Sequence, residues 1–259
     1  MKKISLKKKM KKISFILLGL LTLGITACEE EKPLVQRNDP DHSISFTINH
    51  TVGDQEFAAG TEYIVGDNDK VTFSRYAYML GSFYLTTSDG DKIALDSQYA
   101  LIEAHKGMTT FTLMDVPFGD YSSIGFSIGL DSAINHGNPN QYPSGHPLSA
   151  VSNSLHWGWV GGYIFTAIEG KDVDAGESII FHLAGVQNKI DFNFATDFTH
   201  GTSGSKVELG YDIAEVFVNP NTFSLVTDGR STHTVDHPTT TKLIQNMADV
   251  FTLTKVSAK

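Results

Sequence analysis

The chain has 259 residues, with 29 acidic and 20 basic side chains and a formal net charge of −9. Taking the seven lysines of residues 1–27 from the 20 basic side chains leaves 13 against 29 acidic ones, a net charge of −16. Nucleic acids are bound by basic surfaces, so this balance excludes a nucleic-acid-binding protein. The single cysteine excludes a disulfide within the chain.

The first 28 residues are predicted to be a lipoprotein signal peptide followed by its lipidation site. A lysine-rich start precedes an apolar run, residues 13–24, that is too short to span a bilayer comfortably. The sequence ITAC then follows at residues 25–28 and resembles the lipobox of bacterial lipoproteins, in which the cysteine is acylated and the chain is cut before it. We therefore expect removal of residues 1–27 and a lipid on Cys28.

Residues 28–42 are predicted to be an acylated tether between the membrane and the domain. The segment is polar, contains proline and has no hydrophobic period. Its start, EEEK at residues 29–32, resembles the acidic signal that directs lipoproteins to the outer surface in certain Gram-negative lineages. The alternative is a solvated acidic tether. We expect an outer-membrane lipoprotein that is periplasmic or surface-exposed, with the lipid on Cys28 as its membrane contact.

From residue 43 the sequence predicts strands. Residues 44–48 alternate apolar and polar side chains, as in a half-buried strand. Further strands are predicted over residues 71–85, 93–104, 110–116, 121–130, 163–168, 178–183 and 189–194, and residues 207–217 are predicted to form one strand or two short ones. Only residues 240–251 have helical spacing. Residues 43–259 are therefore predicted to form one all-β domain, an antiparallel β-sandwich with long inter-strand loops and a short C-terminal helix.

One long loop between two predicted strands, residues 131–161, is the strongest candidate for a functional site; we call it the histidine loop. It is rich in Asn, Pro, Gly and Ser, and unstructured loops of this length are usually functional or disordered. It carries His136, His146 and His156 at ten-residue intervals, and both tryptophans of the chain, Trp157 and Trp159. This combination favours a built site for a metal. The alternative is that the histidines are polar loop residues and the tryptophans cap a core.

Four stretches of the chain are specific in combination: RYAYMLGSFYL from residue 75, DVPFGDYSSIGFSIGLDSAINH from residue 115, HWGWVGGYIFTAIEG from residue 156, and FHLAG from residue 181. Together they resemble the MbnP-like family of methanobactin-associated periplasmic copper proteins. The resemblance covers roughly residues 44–252. It implies a β-sandwich that holds copper with histidines and, in some members, with a tryptophan oxidised to kynurenine. It also implies a di-haem, peroxidase-like partner.

The resemblance places the family's tryptophan pair on Trp157 and Trp159, its strand histidine on His182 and its asparagine-histidine step on Asn135 and His136. Many members have a large apolar residue where this chain has His156, and only part of the family has the segment around His146. From the residues themselves, imidazole is the common ligand of copper and zinc, and no thiolate is left once Cys28 is acylated. The predicted metal ligands are His136, His146, His156 and His182, with copper as the metal and zinc as the alternative.

Several residues near the predicted site have a structural interpretation beside the functional one, or are weaker candidates. His182 lies mid-strand between apolar neighbours, where a histidine is also common as a satisfied core residue. Asp131 is either an acceptor that orients an imidazole or a turn residue. His233 and His237, close to the start of the terminal helix, are less favoured candidate ligands.

Three functions follow from these features. The first is a copper-binding lipoprotein for metal handling, without turnover of its own. The second is a surface lipoprotein whose histidine loop binds a protein or small molecule and holds no functional metal. The third is a zinc hydrolase, which is disfavoured because no H-E-x-x-H, G-x-S-x-G or paired-carboxylate arrangement supplies a general base. The sequence therefore predicts a copper-binding protein that is not an enzyme.

Overall fold

The computed structural model describes residues 42–158 and 160–259. The predicted signal peptide, Cys28 and most of the predicted tether lie outside the described residues, as does Trp159. The described part of the chain is mostly strand. No helix within it is long and apolar enough to cross a membrane.

Fourteen strands are present in the described residues. They are β1 Ile44–Val52, β2 Gln55–Glu56, β3 Glu62–Val65, β4 Asp69–Thr87, β5 Lys92–Ala94, β6 Ala100–Glu103, β7 Thr110–Leu113, β8 Gly119–Ile128, β9 Ile164–Asp172, β10 Ser178–Ala184, β11 Ile190–His200, β12 Ser205–Asp212, β13 Ser231–Thr232 and β14 Phe251–Ala258. The three α-helices of the same region are α1 Ser132–Asn135, α2 Ala150–Asn153 and α3 Pro238–Asn246.

The strands form two sheets around one core, which confirms the predicted all-β sandwich with a short C-terminal helix. The smaller sheet has the order β14-β12-β1-β2, with β7 also paired to β1. The larger has the order β11-β8-β4-β9-β10-β13, with β3, β5 and β6 also paired to β4. Two pairings are parallel, β1 with β12 and β10 with β13, so the sheets are mixed and not purely antiparallel. The alternation of apolar and polar residues indicates which side chains face the core. It does not indicate whether neighbouring strands run parallel or antiparallel, so the sequence could not reveal these two pairings.

Several predicted element boundaries were wrong. The segment predicted as one strand over residues 93–104 forms two strands, β5 and β6, and the strand predicted over residues 207–217 ends at Asp212, with residues 215–217 in a 3-10 helix. The terminal helix was placed over residues 240–251, but α3 ends at Asn246 and Phe251 begins β14. Phe251 packs edge-on against Tyr211 with ring centroids 4.8 Å apart, so its burial comes from the sheet and only mimics helical spacing. The strand predicted to stop at residue 168 continues to Asp172, which places Glu169 on a strand and not in a turn.

A polar seam crosses the core between the sheets. His50 of β1 bonds Tyr78 of β4 through Nε2 at 2.8 Å, and the Tyr76 and Tyr211 hydroxyls are 2.9 Å apart. Tyr78 also stacks on Tyr211 with centroids 5.0 Å apart. Burial lowers the pKa of His50 to about 4, against a smaller opposing effect of a backbone hydrogen bond with Ile48. These hydrogen bonds therefore connect the two sheets while the His50 imidazole is neutral.

This neutral imidazole predicts a specific loss of stability in acid. The unfolded chain binds a proton at His50 near pH 6.5, whereas the folded chain resists until about pH 4. Stability from this residue is therefore full above pH 6.5 and falls by about 3 kcal/mol as pH drops to 4. We expect urea unfolding at several pH values to show that His50→Gln lacks this part of the pH dependence. Equal pH slopes for the two proteins would contradict the prediction.

Candidate metal site

Three adjacent strands of the larger sheet place an arginine, a carboxylate and an imidazole on one face. Arg75 of β4 lies opposite Glu169 of β9. His182 of β10 lies opposite Ala167, two residues from Glu169. Alternate residues of a strand share a face, so His182 and Glu169 are diagonal neighbours across the pair.

A β-bulge in β4 creates this alignment. Phe73 lies opposite Gly170 and Arg75 lies opposite Glu169, so Ser74 is an extra residue with no partner in the register. The Ser74 hydroxyl donates to the Glu169 carbonyl at 3.2 Å, which fixes the bulge. Bulges commonly re-aim a side chain beside a functional site. Here the bulge brings the guanidinium opposite the carboxylate.

His182 has one ring nitrogen held and the other free. Its Nε2 lies 2.9 Å from Glu169 Oε1. A carboxylate only accepts hydrogen bonds, so Nε2 carries the hydrogen and the neutral ring has its lone pair on Nδ1. Nδ1 is buried and has no hydrogen-bond partner among the described residues. A carboxylate that fixes the tautomer of an imidazole while its other nitrogen stays free is the usual environment of a metal-ligating histidine.

Glu169 is held as an anion between two donors. Arg75 Nη1 lies 3.0 Å from the same Oε1 that His182 contacts. Burial by itself raises the pKa of Glu169, but the hydrogen bonds from His182 and Arg75 and the charge of Arg75 outweigh it and lower the pKa. The carboxylate is therefore ionised at neutral pH and keeps His182 in one orientation.

His233 and Trp157 lie on the other side of His182 from Glu169, and we call Arg75, Glu169, His182, His233 and Trp157 together the cluster. Thr232 of β13 pairs with Phe181 of β10, so His233 follows directly beside His182. The two imidazole centroids are 4.9 Å apart, with the rings at 79°. Trp157 has its centroid 6.3 Å from His182 and 6.4 Å from His233. His233 is exposed and Trp157 is half-buried, so the pair of imidazoles opens to solvent beside an indole.

The C-terminal end of the histidine loop, where it enters β9, is held by the buried side-chain amide of Asn135. The Asn135 side chain, at the end of α1, is fully buried and accepts from the Tyr163 backbone N–H at 2.8 Å. Gly162 has φ +68°, and a Cβ there would collide with the Asn135 amide, so glycine is required. Trp157 N–H donates to the Gly162 carbonyl at 2.9 Å, and His156 pairs with Tyr163 as an isolated bridge. This small hairpin places Trp157 beside the strand-borne imidazoles.

The three histidines of the loop use their lone pairs within the loop itself. The donors are the Asn135 amide to His136 Nε2 at 3.3 Å, the Leu148 N–H to His146 Nδ1 at 3.0 Å, and the Gly158 N–H to His156 Nδ1 at 2.9 Å. In a neutral imidazole the other nitrogen then carries the hydrogen. Burial lowers the pKa of both His146 and His156, which favours that neutral form.

The same three rings point to different surroundings. His136 is exposed, His146 stacks on Tyr142 with centroids 4.6 Å apart, and His156 meets the ring of Tyr163 edge-on at 4.6 Å. Over residues 42–158 and 160–259, no group of three or more His, Cys, Asp and Glu side chains is arranged to hold a metal ion. The structure therefore does not assemble the four predicted ligands into one group, and His182 is the one that lies in the cluster with Trp157.

The remaining candidates have structural partners. Asp131 precedes α1, accepts from the Ser82 hydroxyl at 3.0 Å and pairs with Lys189 at 3.2 Å, so its partners fit the turn-residue interpretation. His237 is the N-cap of α3 and accepts from the Thr239 N–H at 3.3 Å. His233, which the sequence favoured less, is the second histidine of the cluster.

Arg75 and Glu169 were missed at the sequence level. Arg75 is the one charge in the run RYAYMLGSFYL, and a charge within such an apolar strand is a usable signal for a paired site. Glu169 was assigned to a turn. In the structure it lies on β9 two residues after Ala167, the residue opposite His182, and so shares a strand face with Ala167. The bulge that aligns Arg75 with Glu169 depends on backbone geometry, and the alternation of apolar and polar residues in the sequence does not reveal it.

The fold and the cluster together define a two-sheet β-sandwich that carries paired imidazoles beside a tryptophan at one surface. Residues 41–238 match the sequence model of the MbnP family, and the chain belongs to that family. Among solved structures, MbnP from Methylosinus trichosporium has a similar fold, with a TM-score of 0.52 and 15% sequence identity over 83% of this chain and 98% of that one. A search of curated proteins found no match.

Proposed function

We propose that the protein is a copper-binding lipoprotein that handles the metal and has no catalytic turnover of its own. The observation that supports it is the free, buried Nδ1 of His182, whose ring Glu169 holds through Nε2. An unpaired buried acceptor is costly unless an ion, a water or another ligand satisfies it. Family membership adds the expectation of copper.

The residues that fit a copper ion are His182 and His233, with Trp157 beside them. Imidazole nitrogen suits copper and zinc, and at a nitrogen site the general order of affinity favours copper. Copper supplies a redox-active centre when bound. In this proposal His182 and Glu169 fix one ligand direction, His233 supplies a second nitrogen from the exposed side, and Trp157 shields the pair.

The wider setting of the proposal rests on the sequence and the family. Cys28 carries the lipid, and the protein sits at the outer membrane, facing the periplasm or the cell surface. A di-haem, peroxidase-like partner oxidises Trp157 or Trp159. A second candidate function is the binding of a protein partner by the histidine loop, favoured by the high exposure of two apolar loop residues, Val151 (88%) and Val160 (94%).

Copper titration of the purified, lipidated protein after metal removal tests this function. We expect one tightly held copper per chain, retained against a competing chelator, and weaker binding of zinc. Peptide mass spectrometry of the tryptic fragment with Trp157 and Trp159 then reports oxidation of either indole. Substoichiometric copper that a weak chelator removes would contradict the proposal and favour the partner-binding function.

A further inference from the structure

We infer that Arg75 is a positioning residue that sets the distance between the strand-borne imidazoles and the loop-borne Trp157. The inference rests on the proposed function for its consequence in copper binding. Its structural part, the placement of Trp157 by Arg75, holds or fails without any metal.

The guanidinium of Arg75 connects two parts of the site with its two terminal nitrogens. Nη1 donates to Glu169 Oε1 at 3.0 Å, and Glu169 in turn holds His182 at 2.9 Å. Nη2 donates to the Asn153 carbonyl at 3.1 Å and approaches the Ser154 carbonyl at 3.5 Å. One side chain thereby joins the carboxylate that orients the strand histidine to the end of α2 in the histidine loop.

The contacted carbonyls lie at a turn that leads directly to Trp157. Ser154 has φ +53°, a left-handed conformation that is uncommon for a residue other than glycine. The next residue, Leu155, is fully buried, and its N–H donates to the Asn153 side chain at 2.8 Å. Its carbonyl accepts from Ile164 of β9 at 2.9 Å. Residues 153–157 are therefore held at one end by Arg75 and at the other by the hairpin to Gly162 and Tyr163, so release of the Arg75 end loosens the position of the indole.

Arginine suits this position better than lysine would. The guanidinium is planar, permanently charged and carries donors in a fixed fork, so it can serve a carboxylate and a backbone carbonyl at the same time. The carbonyls at a helix end lack intrahelical donors, which makes them available to such a fork. A lysine ammonium is a point charge that can pair with Glu169 but does not reproduce the fork. The bulge at Ser74 is what directs this fork to the carboxylate.

The experiment uses the tryptophan content of the chain. Both tryptophans lie in the histidine loop, so Trp159→Phe leaves Trp157 as the single tryptophan, and excitation at the red edge of the absorption band selects it over the nine tyrosines. In this background we compare Arg75→Gln and Arg75→Lys with Arg230→Gln as the matched control. Arg230 pairs with the buried carboxylate of Asp172 at 2.7 Å in the same sheet, but none of its ion-pair partners belongs to the cluster. Iodide quenching of the metal-free protein reports the exposure of Trp157, and copper titration reports affinity.

Arg75→Gln is expected to raise iodide quenching of Trp157 and shift its emission to the red, whereas Arg230→Gln leaves both unchanged. Copper affinity should fall about 10-fold in Arg75→Gln, the scale of losing a residue that orients a ligand. Arg75→Lys should recover part of the copper affinity through Glu169 while its quenching stays close to that of Arg75→Gln. This split is not expected of a role in stability alone.

Two results would overturn the inference. The first is unchanged quenching of Trp157 in both Arg75 variants; the second is the same change in Arg230→Gln. If Arg75→Gln does not fold, quenching in Arg75→Lys decides the question. If the parent protein binds no copper, the proposed function fails, and the quenching of the metal-free proteins still decides whether Arg75 places Trp157.

Discussion

Replacing His182 by alanine is expected to weaken copper binding by about 100-fold or more. His182 has the one imidazole in the cluster with a carboxylate on Nε2 and a free, buried Nδ1. Loss of a residue that merely orients a ligand costs about 10- to 100-fold in metal affinity, so loss of the ligand should cost at least as much. Titration against a chromophoric copper chelator measures the change.

The control for this prediction is His136→Ala. His136 is exposed and its Nε2 accepts from the Asn135 amide, so its removal should leave copper affinity within about twofold. His233→Ala is expected to weaken binding as well, because its ring lies 4.9 Å from His182. Undiminished binding in His182→Ala, with the circular dichroism of the parent protein, would show that the free Nδ1 is not a ligand. A large loss in His136→Ala would instead favour a site built by the histidine loop.

The sandwich could be predicted in part because several of its strands bury one face and expose the other. In β1, for example, Ile44, Phe46 and Ile48 are buried and the intervening side chains are not. This alternation is a local property, visible in a single strand. The parallel pairing of β1 with β12 is not local, since it joins segments about 160 residues apart, and nothing in either segment identifies its partner.

The site could be predicted only in part, for the same reason. His182 and Trp157 were candidates because their residue types carry metal chemistry. The loop histidines were candidates on the same ground, but short-range donors, such as the Gly158 N–H, occupy the lone pairs that ligation would need. The contact with Glu169 fixes the tautomer of His182 and leaves its Nδ1 free, and that contact depends on strand register and a bulge. Residue type thus indicated the chemistry, whereas the pairing of strands decided which histidine is available for it.

The proposed lipid on Cys28 rests on the sequence alone, and replacing Cys28 is expected to have an all-or-none effect on labelling. Without residues 1–27 the chain has 13 basic and 29 acidic side chains, so anionic lipids would repel it. In the proposed lipoprotein, acyl chains on Cys28 supply the membrane attachment, at about 0.8 kcal/mol per buried methylene. One chain binds only marginally, and two or more give stable anchoring.

Cys28→Ser is therefore expected to abolish incorporation of labelled palmitate, because no other cysteine is present to accept a lipid. The parent protein should incorporate the label and begin at Cys28 in intact-mass analysis. Glu30→Gln, two residues further on, should be labelled like the parent, since it alters the tether and leaves the lipobox intact. Labelling of Cys28→Ser equal to the parent would refute the lipoprotein assignment. If the serine variant stays in the membrane without label, residues 13–24 have remained uncleaved, because hydrophobic attachment is then possible only through that run.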